Sequence, residues 1–195
     1  MDKLYTLDNP KEIELPQTLN GVVLFLGYSK NVKVIPILLK YSKGFASVQL
    51  DRAMANMGTA IIKPYMEEIT NEEKHNKEKA IGMKMGAMCV FEELYKNNNI
   101  KIDEPSRVII KKLVVDSLGD KNDFLRSTAS EVAGSLGDKD LIPLLEKIAK
   151  EDPYMESRTI GDGSKKNPHR REKYYQTREL AQESIKKIKL SLKGK

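Results

Sequence analysis

The chain of 195 residues has no tryptophan, four phenylalanines, two histidines and one cysteine. Each shortage removes a class of explanation. A single Cys89 allows neither an intrachain disulfide nor a cysteine-built metal cluster. Its setting, Gly86-Ala-Met-Cys-Val-Phe, reads as a helix in which the thiol serves as a small buried hydrophobe. No stretch approaches the roughly 20 apolar residues of a membrane span, the longest run near the start being residues 21–27. The opening Met1-Asp-Lys-Leu-Tyr lacks a charged and then apolar leader, so a soluble, cytoplasmic protein is expected. With few aromatics, 39% hydrophobic and 32% charged residues, the composition suits an exposed helical array better than a sheet built on a large aromatic centre.

What is present is a repeat. Proline recurs at the front of three similar segments, Ile35-Pro36-Ile37-Leu38, Lys63-Pro64-Tyr65-Met66 and Ile142-Pro143-Leu144-Leu145. Residues 34–43 align with 141–150 without a gap, lysine falling on lysine twice and Leu39 against Glu146 being the one serious conflict. Met57-Gly58 precedes Pro64 by the same distance as Leu136-Gly137 precedes Pro143, so a helix end and the next helix start recur together at an offset of 79. Pro36 and Pro64 lie 28 apart, which makes that offset two or three units of roughly 28 to 40 residues, in the range of helical-pair solenoids.

Along the chain, helices are expected at about 16–27, with Gly27 as a stop, and 32–43, with a stripe of Val34, Ile35, Ile37, Leu38 and Tyr41. Others follow at about 46–57 and 60–69, and a longer one at 71–96 with Met83, Ala87, Val90, Phe91 and Leu94 facing a core. Pro105-Ser106 opens a helix through Leu118. Ser-Leu-Gly-Asp-Lys occurs at 117–121 and again at 135–139, where Gly can cap the outgoing helix and Asp can start the next. A polar, basic insertion is expected at about 152–172, then a capping helix at about 174–192 with Leu180, Ala181, Ser184, Ile185 and Ile188 on one face. The whole of 1–195 is taken as one domain.

The stretch 126–145, with Arg126 among small residues, a Leu-Gly-Asp turn and then Ile-Pro-Leu-Leu, resembles HEAT repeats of the short bacterial type. The resemblance covers 123–150, returns at 46–69 and is echoed at 178–185, where Arg178 and Ala181 match Arg126 and Ala129. It implies an all-α, right-handed superhelical solenoid of antiparallel helical hairpins, about four to five repeats, with a concave face that acts as a binding surface. In HEAT repeats such an arginine often bridges neighbouring helices, which is the role the resemblance implies for Arg126. Enzymes of related architecture fit poorly. The iron-dependent deoxyhypusine hydroxylases use His-Glu pairs, whereas neither His75 nor His169 is followed by Glu; the alkylpurine DNA glycosylases use a tryptophan that this chain lacks. No residue can be matched to the bilin lyases.

No catalytic residue, metal site or cofactor is expected. Neighbouring carboxylates such as Glu67-Glu68, Glu72-Glu73 and Glu92-Glu93 do not face each other on a helix and read as solvated surface. Gly161-Asp-Gly-Ser-Lys-Lys lacks the spacing of a phosphate loop. The uneven property is charge. Residues 158–195 hold twelve Lys or Arg against four Asp or Glu, a net of +8 in a chain whose total is +6. Lys165, Lys166, Arg170, Arg171, Lys173, Tyr174, Tyr175 and Arg178 are therefore the candidate binding residues, because guanidinium forks match planar anions and tyrosines can stack beside them. The expected function is a non-catalytic scaffold or adaptor for a protein partner on the concave face; the alternative is nucleic-acid or polyanion binding through the basic C-terminal region.

Overall fold

The computed structural model describes residues 17–42, 47–97, 99–160, 164 and 169–193, with side chains from residue 21 onward. Among these the chain is predominantly helical. The elements are α1 (Gln17–Tyr28), α2 (Ile35–Ser42), α3 (Val48–Ala55), α4 (Ile62–His75), α5 (Lys77–Lys96), α6 (Glu104–Leu118), α7 (Asp123–Leu136), α8 (Ile142–Glu151), β1 (Glu156–Ile160), β2 (Arg170–Tyr174) and α9 (Gln176–Lys193).

The helices alternate between two layers. In one, α1 packs on α3, α3 on α5, α5 on α7 and α7 on α9; in the other, α2 meets α4 and α4 meets α6. Contacts between α2 and α3, α4 and α5, α6 and α7, and α8 and α9 join the layers. A single apolar core runs between them, from Val23 and Leu38 through Leu50, Tyr65, Phe91, Ile110 and Leu125 to Leu145 and Ile188. Tyr65 and Phe91 meet edge to face with ring centroids 6.2 Å apart, a favoured aromatic geometry.

The sequence repeat is also a backbone repeat. Lys30, Gly58 and Gly137 are the described residues with left-handed φ, at 51°, 64° and 66°, and each stands six residues before a proline of the repeat. A short 3-10 turn precedes the proline in every case, at Val32–Val34, Gly58–Ile61 and Lys139–Leu141, the second beginning at the left-handed glycine itself. Pro36, Pro64 and Pro143 then fall in the first turn of α2, α4 and α8, where a missing N–H costs nothing because that donor has no intrahelical partner.

Several sequence expectations need correction. Gly27 does not stop α1, which continues to Tyr28; it lets α1 approach α3, and a methyl group at Gly27 would sit 2.5 Å from the Cα of Ala53. Ile37 is exposed and Leu39 takes the buried place expected for it. The helix expected at 71–96 is divided: α4 runs to His75, and Asn76, in extended conformation (φ −150°, ψ 95°), accepts a hydrogen bond from the Lys79 N–H and begins α5. The expected start at Ala46 lies outside the described residues, and Ser47 caps α3 by accepting from the Leu50 N–H. The two Ser-Leu-Gly-Asp-Lys copies differ. Gly137 is left-handed and Asp138 caps the following turn, whereas Gly119 has φ −93° and the true cap of α7 is Asn122. Finally, the segment read as a polar insertion contains an antiparallel hairpin of β1 and β2.

Candidate functional site

The hairpin grows from a buried ionic knot. Arg126, on the first turn of α7 and 8% exposed, donates from Nε to Asp152 Oδ2 at 2.6 Å and from Nη2 to Asp152 Oδ1 at 3.2 Å. Its Nη1 also reaches the carbonyls of Asp120 and Lys121, both at 3.0 Å, and Nη2 the Asp123 carboxylate at 2.6 Å. Asp152, just past α8, is 5% exposed and also accepts from the Tyr154 N–H at 2.9 Å. Its carbonyl accepts from Arg178 Nε at 2.7 Å, and the Arg178 guanidinium lies 4.2 Å from the Tyr175 ring centroid. The matching arginines of α7 and α9 thus converge on one residue.

The strands pair Glu156 with Tyr174, Ser157 with Lys173, Arg158 with Glu172, Thr159 with Arg171 and Ile160 with Arg170. Side chains alternate along a strand, so Ile160, Arg158, Glu156, Arg170, Glu172 and Tyr174 share one face. There Arg158 contacts Glu172 at 2.8 Å through Nε and 2.7 Å through Nη2, and its guanidinium stands 4.2 Å from the Tyr174 ring centroid. The opposite face holds Ser157, Thr159, Arg171 and Lys173, all exposed and without a carboxylate among them.

Of the sequence-derived residues, Arg170, Arg171 and Lys173 are exposed on β2, and Tyr174 and Tyr175 are half-buried as platforms for Arg158 and Arg178. Arg178 is tied into the knot. Lys165 and Lys166 lie outside the described residues.

A second group was not foreseen. On α3, α5 and α7, Asp51, Glu92 and Glu131 act electrostatically on Cys89 together with Lys96, and Glu93 acts on Asp51. Glu92, read from sequence as solvated, keeps 14% of its side-chain surface, with Lys96 at 2.9 Å and the Ser135 hydroxyl donating at 2.7 Å. Glu93 contacts Lys96 at 3.6 Å and Arg52 at 3.9 Å. Burial, then the charge of Glu93, push the Asp51 carboxyl up to about 7. Burial and neighbouring carboxylates push the Cys89 thiol up to about 11, so at neutral pH it is protonated and a poor nucleophile. Sequence could not show this group because its members come from helices about 40 residues apart.

The other layer is open. A groove of about 470 Å³ between α2 and α4 is lined by Ile35, Pro36, Leu39, Ala60 and Pro64, and one of about 490 Å³ between α4 and α6 by Lys63, Met66, Thr70 and Ile109. Among the described residues no three His, Cys, Asp or Glu side chains are placed to hold a metal ion, and no helix is long and apolar enough to cross a membrane. No family model, no curated protein and no solved structure matches this chain.

Proposed function

We propose that the chain is a HEAT-like helical solenoid that acts as a non-catalytic scaffold, binding a protein partner along the face formed by α3, α5 and α7. The observation that carries this is the alternation of helices between two layers, with the left-handed residue, 3-10 turn and proline repeated at three helix starts. In repeat arrays of this kind each unit contacts its neighbours and leaves a long surface free. The unbroken succession α1–α3–α5–α7–α9, against the grooves that separate α2, α4 and α6, is what favours the odd-numbered layer as the binding face in this reading. A preformed surface of this type binds with little ordering cost. Glu92, Glu93 and Glu131 outnumber Arg52 and Lys96 there, which favours a partner segment with basic side chains. The test is fluorescence anisotropy with a labelled Lys/Arg-rich peptide, comparing the native chain with a Glu93→Lys/Glu131→Lys variant. Affinity at least tenfold weaker in the variant is expected; equal affinity would remove that face from the reading.

The second reading, polyanion binding, is favoured by the uncompensated face of the hairpin with Arg171 and Lys173. It is tested with single- and double-stranded nucleic acid at two salt concentrations, beside a variant with Lys165, Lys166, Arg170 and Arg171 changed to Ala. Binding that falls steeply with salt and is lost in the variant is expected, since neutralised phosphates release counterions. Absence of binding at low salt discards it.

A further inference from the structure

Residues 152–175 hold three tyrosines, and two of them are covered by cations. Arg158 stands over Tyr174 and Arg178 over Tyr175, each guanidinium 4.2 Å from the ring centroid. The third, Tyr154, meets Phe124 of α7 instead, with ring centroids 6.0 Å apart and planes tilted by 57°. Phe124 is 58% exposed, and among the described residues no cation is placed over either ring. Carboxylates stand beside the pair. The Tyr154 hydroxyl donates to Glu156, and Asp123 acts electrostatically on the same phenol. Asp123 shares the Arg126 guanidinium with Asp152, two carboxylates on one cation. The opposing charges are Lys121, exposed in the turn before α7, and Arg178, already held by the Asp152 carbonyl and the Tyr175 ring. Phe124 also begins a row on α7. Thr128, Glu131 and Ser135 follow it at helical spacing, and the row faces α5: Glu131 acts on Cys89, and Ser135 donates to Glu92 at 2.7 Å.

We propose that Phe124, backed by Tyr154, is the seat of an arginine side chain of the partner segment, its guanidinium lying on the ring at the end of the acidic row that leads to Glu131 and Glu92. The inference rests on the reading of the α3–α5–α7 face as the binding surface and names the side chain that anchors there. A guanidinium is planar and weakly hydrated, so it stacks on an aromatic face where an ammonium keeps its water. An aliphatic anchor would cover the same ring but gain nothing from Asp123 and Glu156. The chain makes this pairing within itself twice, at Tyr174 and Tyr175. Two helical turns, about 10 Å, separate Phe124 from Glu131. An extended segment covers that distance in about three residues, so the partner carries a second basic residue three positions from the arginine.

Fluorescence anisotropy at low salt tests it, with a labelled Arg-Ser-Ser-Arg-Ser-Ser-Arg peptide and a twin in which lysine replaces every arginine. The native chain is expected to bind the arginine peptide about three- to tenfold more tightly than its twin, the scale of a cation–ring contact. Phe124→Leu keeps an apolar side chain and loses the ring; it is expected to erase that preference with circular dichroism unchanged. Glu93→Lys/Glu131→Lys is expected to weaken both peptides alike. An arginine preference that survives in Phe124→Leu overturns the proposal, as does equal binding of the two peptides by the native chain. In either case, weaker binding by Glu93→Lys/Glu131→Lys leaves the α3–α5–α7 reading standing. Unchanged binding by that variant, or no binding of either peptide, removes both.

Discussion

Asp51 is a residue whose ionisation bears on the stability of the fold. Its carboxyl titrates near 7 in the folded chain against an ordinary value of 3.8, so the folded state holds its proton more tightly than the unfolded state. Stability from this group is therefore full below about pH 4 and is lost as pH rises toward and past 7. Asp51→Asn removes the penalty: thermal unfolding at pH 8 is expected to show a gain of roughly 1–4 kcal/mol, and at pH 4 almost none. Lys30 is a different case. It occupies a left-handed position that glycine fills in the two equivalent turns, so Lys30→Gly should raise stability in urea unfolding by up to about 1 kcal/mol. The conformational preference was hidden in the sequence because lysine carries no mark of it; only alignment of the three turns on their prolines exposes the position.

At the scale of elements, two glycines inside helices should behave oppositely. A methyl at Gly27 meets the backbone of Ala53 at 2.5 Å, and backbone cannot swing aside, so Gly27→Ala should cost about 1–3 kcal/mol. At Gly82 in α5 nothing lies within 4 Å, and Gly82→Ala should gain about 0.5–1 kcal/mol from helix propensity alone. Equal effects in parallel chemical denaturation would contradict the close α1–α3 contact. The helices themselves were largely legible, because apolar spacing on α5 and α9 selects the residues that are in fact buried, Met83, Ala87, Val90, Phe91 and Leu94 on the former and Ala181, Ser184 and Ile188 on the latter. The break at Asn76 was not, since it sits in a charged run with no apolar period to interrupt. Nor were the strands: Arg-Arg-Glu-Lys-Tyr has a solvated composition, and what makes it β2 is pairing with residues 156–160. Of the candidate site, sequence supplied the basic cluster, while the engagement of Arg178 and the group around Cys89 arise from packing between distant helices.

For the molecule as a whole, neighbour-to-neighbour packing means that damage should stay local. Asp152→Ala leaves the Arg126 guanidinium buried with fewer partners and should cost about 3–5 kcal/mol. Amide hydrogen exchange is expected to show the loss of protection in α7, α8 and α9, with α1 and α3 close to native. Uniform loss along the chain would mean instead that the stack unfolds as one unit. The same residue has a mechanical consequence. Asp152 grips Arg126 with its side chain and Arg178 with its main chain, and the hairpin leaves the body two residues after it resumes at Tyr154. Asp152 is therefore both the clasp between α7 and α9 and the root of the strand pair, so any displacement of β1 and β2 is felt first at the seam between those two helices.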